Sequence, residues 1–234
     1  MSQIARLGRQ ATYFLPLMFL AAVVGFWPSY FTAFASTRVS LHVHGLLMLT
    51  WMATLAVQAV LFRTGQLVWH RRIGRLSFAV APLIVAVGLL VTREFMGRVG
   101  SNVTRVSLEI FTISMISILA FGLLYGLAIY YRRVPELHAR YMVGTGLMVI
   151  GAGLLRIFQN WVPGFSSLSS ATHAGVVVVE VATIGLILND RRIGRIRAPF
   201  VVVLLLIALL HAMLWKAPDW GWWRNLAVWA GQAT

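Results

Sequence analysis

Seven long apolar runs leave this chain almost no choice of environment. A helix needs roughly 20 mostly apolar residues to cross the hydrocarbon core of a bilayer, and runs near that length fall at about 13–34, 41–62, 76–91, 106–131, 139–158, 173–188 and 199–215. They use up most of the 234 residues. Inside lipid every peptide group must find its hydrogen-bond partner within the protein, so spans of this length are helices. The expected fold is therefore all-α: a polytopic membrane helix bundle with seven transmembrane helices, forming a single integral membrane domain over residues 1–234. Composition agrees, with 59% hydrophobic residues, 11% charged residues and a mean hydropathy of +0.82. The chain has no cysteine, which excludes disulfides, iron–sulfur clusters and thiolate metal sites.

A formal charge of +14 would suggest nucleic acid in a soluble protein. Here the positive charge is sorted by side instead, and no nucleic-acid partner is expected. With the amino terminus inside, thirteen basic residues face the cytoplasm: Arg6, Arg9, Arg63, Arg71, Arg72, Arg75, Arg132, Arg133, Arg140, Arg191, Arg192, Arg195 and Arg197. Six lie outside: Arg38, Arg93, Arg98, Arg105, Lys216 and Arg224. Arg156 falls within a span. The positive-inside rule thus puts the amino terminus in the cytoplasm and the carboxyl terminus outside.

Several local features refine this picture. The AFA sequence at Ala33 to Ala35 fits a signal-peptide cleavage site, but the apolar run before it is longer than such peptides need, so an uncleaved first helix is expected. The carboxyl-terminal WKAPDWGWWRNLAVW suits a short interfacial helix anchored by tryptophans. RRIGR occurs at Arg71 to Arg75 and again at Arg191 to Arg195, and reads as two basic turns, each with a glycine. Gly144, Gly146, Gly151 and Gly153 in the fifth span permit close approach of a helix or a flat cofactor.

Only a few side chains carry chemistry. Topology sorts the six histidines into an outer group, His42, His44, His173 and His211, and an inner pair, His70 and His138. His44, Met48, Trp51, Thr54 and Gln58 share one face of the second helix, which selects His44 over His42 as the inward-facing histidine. His173 and Glu180 are seven residues apart and share a face of the sixth helix, with Glu180 about 10 Å deeper at ~1.5 Å per residue. Arg156 and Glu109 also fall within the outer leaflet. A charge at such depth costs a few kcal/mol unless paired, so Arg156 is expected to pair with Glu109, Glu180 or an acidic group on a ligand. Asp190 and Asp219 are read as lying outside the spans. His70 and His138 sit in basic turns, whose ordinary role is to meet anionic lipid headgroups.

Two segments, His42 to Gly88 and Tyr131 to Ile157, resemble a widespread group of bacterial multi-pass membrane proteins that have no assigned activity. The resemblance implies a seven-helix fold in the bacterial inner membrane. His44-Gly45-Leu46-Leu47-Met48 and the Trp69-His70 pair are more distantly similar to the di-haem cytochrome b ascorbate and ferric reductases. That similarity implies an outer haem b between His44 and His173 and an inner one between His70 and His138. The chain departs from that family in having seven spans instead of six and in placing its candidate ligands at helix ends.

Three functions follow from these residues. The first is a membrane redox protein that binds b-type haem and exchanges electrons with quinone or another membrane redox subunit, its cofactor held by His44, His173, Arg156, Glu180, His70 and His138. The second is a non-catalytic membrane subunit or transporter without cofactor. The third is a metal-dependent membrane hydrolase with His44, His173 and His211 on the metal; zinc in such enzymes takes three protein ligands and a water.

Overall fold

A computed structural model describes residues 3–192 and 194–232, with side chains from residue 10 onward. The described residues form helices and connecting turns without a strand. The long helices are α1 (Gln3–Phe26), α2 (Val39–Arg63), α3 (Leu67–Val99), α4 (Arg105–Tyr130), α5 (Pro135–Trp161), α6 (Leu168–Arg192) and α7 (Ala198–Lys216), followed by a short α8 (Gly221–Gln232). A π-helical turn (Trp27–Phe31) extends α1. Seven segments are long and apolar enough to cross a membrane, and large apolar side chains such as Leu17, Leu119, Val181 and Leu205 cover the outside of the bundle. That exterior suits a lipid bilayer.

Successive helices run antiparallel, so the bundle has two ends. The upper end holds the starts of α2, α4 and α6; the lower end holds the starts of α3, α5 and α7. Hydrogen bonds confirm the registration. At the top, Ser40 Oγ donates to Glu94 at 2.6 Å, joining α2 to α3. At the bottom, the Gln10 and Asn189 carboxamides exchange two hydrogen bonds, of 3.0 and 3.3 Å, between α1 and α6.

Helix α5 is the axis of the molecule, touching α1, α2, α4, α6 and α7. Its glycines are what let neighbours approach. A Cβ on Gly25 of α1 would lie 2.3 Å from the Gly153 carbonyl oxygen, and one on Gly144 would lie 2.5 Å from Val203 Cγ2 of α7. The small residues of α5 therefore seat helices, while Gly151 has open space beside it. Around this axis the buried core gathers Trp51, Phe121, Leu124, Leu147, Phe200 and Ile207. Trp51 Nε1 donates to Thr145 Oγ1 at 3.1 Å, satisfying the indole that would otherwise be buried unpaired.

Three sequence expectations change. The third span begins at Leu67, so the first RRIGR is part of α3 instead of a turn. The single glycine there, Gly74, lies within the helix and does not interrupt it, and long arginines can reach water from a helix that continues past the apolar layer. The second copy closes α6 and leads into a turn at Gly194; Ile193 lies outside the described residues. Asp190 is not outside the bundle: it is the buried partner of Arg140. Arg140 Nε and Nη2 donate to the two Asp190 carboxylate oxygens at 2.8 and 2.6 Å, and Nη1 donates to the Glu136 carbonyl at 2.8 Å. Both side chains are essentially inaccessible, at 0% and 1% exposure. Arg140 thus leaves the count of loop charges, and Arg6 and Arg9 have side chains outside those described; the lower end still carries more arginines than the upper.

The carboxyl-terminal segment forms the expected short helix. At ~1.5 Å per residue, the 12 residues of α8 are too short to cross a bilayer. α8 packs along the upper end of α3, where a Cβ on Gly231 would meet the Met96 carbonyl carbon at 2.6 Å. Trp223 Nε1 donates to buried Thr112 Oγ1 of α4 at 2.8 Å, while Trp222 and Trp229 remain exposed.

Candidate functional site

The upper end sorts its four histidines into three environments. His42 turns toward the π-helical turn, with Nδ1 2.8 Å from the Tyr30 hydroxyl and its ring 4.4 Å from that of Phe34. His44, two residues on, points inward because a two-residue step rotates a helix by about 200°. Its Nδ1 is buried without a hydrogen-bond partner. His44 lines a cavity of about 190 Å³ enclosed by α2 through α7. The walls are chiefly aliphatic, with Ser114, Ser117, Thr92 and Thr172 adding hydroxyls. Thr172 Oγ1 is likewise buried and unpartnered.

His173 is not among the residues lining that cavity. Its ring stacks on Trp215 with centroids 4.4 Å apart, and its Nδ1 lies 3.1 Å from His211 Nε2. His211 Nδ1 in turn lies 3.0 Å from Glu180 Oε1. Sequence spacing placed His173 and Glu180 on one face, and the structure supplies the link between them from α7. Beyond this line, Glu109 accepts from Ser169 Oγ at 3.2 Å and pairs with Arg105 at 3.5 Å, while Arg105 also pairs with Asp219 at 2.9 Å. Imidazoles in hydrogen-bonded series with a carboxylate can pass a proton along the line.

The expected pairing of Arg156 with Glu109 or Glu180 does not form. Both carboxylates are engaged elsewhere. The Arg156 guanidinium lies over the Phe26 ring, 4.4 Å from its centroid, and Nη1 donates to the Ala152 carbonyl at 3.2 Å. Among the described residues it has no carboxylate partner within ion-pair distance, and its charge acts on His44. Cation–π contact and a carbonyl take the place of a counter-ion.

The lower end brings His70 and His138 into mutual electrostatic range. Each ring is oriented by a backbone carbonyl: His70 Nδ1 lies 3.3 Å from Gln58 O and His138 Nδ1 lies 2.8 Å from Ala128 O. These contacts fix the Nδ1–H tautomer and leave each Nε2 as the available donor atom, the arrangement found for most metal-ligating imidazoles. Gln58 also donates from Nε2 to the His70 carbonyl at 3.0 Å, and its Oε1, like His44 Nδ1 and Thr172 Oγ1, is buried without a partner. Nearby, Arg197 pairs with Glu136, which ties α5 to α7 beside the Arg140–Asp190 pair.

The two ends differ in what they could offer a haem. Above, His44 and His173 do not face one cavity. An apolar cavity of about 150 Å³ accommodates benzene, so the 190 Å³ beside His44 holds one substituted ring and not a macrocycle. Below, two oriented imidazoles on α3 and α5 have the donor chemistry that a bis-histidine iron requires, and Arg71 lies within electrostatic range of His70. The hydrolase arrangement is not assembled. His173 and His211 lie against each other with nitrogens 3.1 Å apart, but His44, the third ligand of that reading, lines the cavity that neither of them reaches. No group of three or more metal-ligating side chains occurs among the described residues.

Sequence reasoning missed Thr172, which reaches the cavity where its neighbour His173 does not. A lone threonine beside a histidine carries no signal of its own; consecutive helix positions differ by about 100°, so only the true phase of α6 separates them. Comparison with protein families, curated proteins and solved structures returned no match.

Proposed function

We propose that this chain is an integral membrane redox protein of the bacterial inner membrane, carrying a b-type haem at its lower, cytoplasmic end. The observation that carries the reading is the His70–His138 pair, each ring set through Nδ1 by a backbone carbonyl, so that Nε2 is the nitrogen that would ligate. When bound there, the haem would supply reversible one-electron chemistry at its iron. His70 and His138 would hold the iron, and Gln58 would keep the α2–α3 hinge in register through its bond to the His70 carbonyl. The cytoplasmic position of this end rests on the excess of arginines around it. Extraction of the purified full-length protein into alkaline pyridine, followed by a reduced haem spectrum, tests the proposal. It expects about one haem per chain; a preparation from haem-replete cells that contains none refutes it.

A second reading, a cofactor-free membrane subunit, is favoured by one observation. The Glu180 and His211 side chains are each about one fifth exposed, at 22% and 21%, halfway along α6 and late in α7. A titratable pair at that depth is stabilised by a neighbouring protein surface. The same pyridine extraction separates the two readings, because this one expects no haem.

A further inference from the structure

The cavity beside His44 combines features that a purely structural void lacks. Of the three buried side-chain atoms without a hydrogen-bond partner among the described residues, two, His44 Nδ1 and Thr172 Oγ1, belong to residues on its wall. Leaving such atoms unmet costs about 1–3 kcal/mol each, so native proteins retain them where something else meets them. Apart from the hydroxyl residues Thr92, Ser114 and Ser117, the remaining wall is apolar, with Phe121, Ile84, Val176 and Ile207. Gly151 opens onto this space with nothing within 4 Å of the position a Cβ would take.

We propose that this cavity binds the ring of a membrane quinone, one carbonyl oxygen accepting hydrogen bonds from His44 Nδ1–H and Thr172 Oγ1–H. The volume of about 190 Å³ admits a single substituted ring. A quinone is flat, apolar over its faces and an acceptor only, which matches two donors set in an aliphatic wall. Arg156 places a positive field on His44, which favours the partial negative charge of a carbonyl. A fatty-acid carboxylate matches less well, because the Arg156 guanidinium is held by Phe26 and the Ala152 carbonyl and not aimed at the cavity as a counter-ion. The site does not rest on the haem reading, since His70 and His138 lie at the opposite end of the bundle.

Isothermal titration of decylubiquinone into the purified full-length chain in detergent tests the assignment. The wild type should bind saturably. Gly151→Leu fills the cavity from a position with free space and should abolish binding while leaving the melting temperature near that of the wild type. Thr172→Val and His44→Leu should each weaken binding by about five-fold, the worth of one neutral hydrogen bond. A His70→Ala/His138→Ala protein should bind as the wild type does, so loss of haem leaves this test intact. No saturable binding, equal affinity in Gly151→Leu, or oleate binding more tightly than the quinone with the same sensitivity to these substitutions would each overturn the proposal.

Discussion

Replacing Asp190 by leucine should destabilise the protein far more than replacing Asp190 and Arg140 together. In the wild type, Arg140 spends two guanidinium nitrogens on Asp190 and a third on the Glu136 carbonyl, with the Phe200 ring 5.9 Å away. Neither partner touches solvent. Removing the carboxylate leaves a buried cation with one carbonyl acceptor, and breaking a buried pair in this way costs about 3–5 kcal/mol. At about 1.4 kcal/mol per decade, that is a ~150- to 4,000-fold loss in the unfolding equilibrium. Arg140→Met should cost a similar amount by stranding the carboxylate. The double variant removes both charges and both desolvation penalties, so its stability should lie within about 2 kcal/mol of the wild type. The assay is loss of helical circular dichroism during titration with SDS in mixed micelles, read as a shift in midpoint at constant slope. Additive losses, with the double variant worse than either single one by the full sum, would show that these side chains act independently and refute the buried-pair account.

The other expectations concern packing and topology. Gly25→Val should lower stability by about 1–3 kcal/mol or more in the same titration, because a Cβ there meets the Gly153 carbonyl oxygen at 2.3 Å. Trp223→Phe keeps the ring contact with Phe111 but loses the bond to Thr112, at about 1 kcal/mol; faster hydrogen exchange confined to α8 is the expected readout, and global loosening would contradict it. Since the wild type lacks cysteine, single cysteines at exposed Gln66 and Ser166 report topology cleanly. A membrane-impermeant maleimide added to intact spheroplasts should label Ser166→Cys and spare Gln66→Cys; the reverse pattern would invert the assigned orientation.

The seven spans were legible because bilayer thickness dictates their length and nothing else in the sequence competes with that signal. The ends were less so. Apolar character fades at Trp69-His70-Arg71-Arg72, yet α3 begins before them, because a helix boundary is set by breakers and caps and not by polarity. The same habit of stopping at charge placed Asp190 in a loop. His44 was recoverable from its shared face with Trp51 and Gln58, both of which are buried. Arg156 was correctly placed within a span but given the wrong partners, since the choice among Glu109, Glu180 and the Phe26 ring depends on how α1, α4, α6 and α7 pack against α5, which periodicity within one helix does not encode. The line from Glu180 through His211 to His173 escaped for that reason too.

The central claim, a haem held between His70 and His138, is tested most directly by the dithionite-reduced minus oxidised absorption spectrum of full-length protein purified from haem-replete cells. The account predicts a Soret and an alpha band in the wild type and in His44→Ala, and their loss in His70→Ala and in His138→Ala, with all four proteins retaining their helical circular dichroism. A wild type without these bands, or bands that survive both lower-end substitutions, would contradict it.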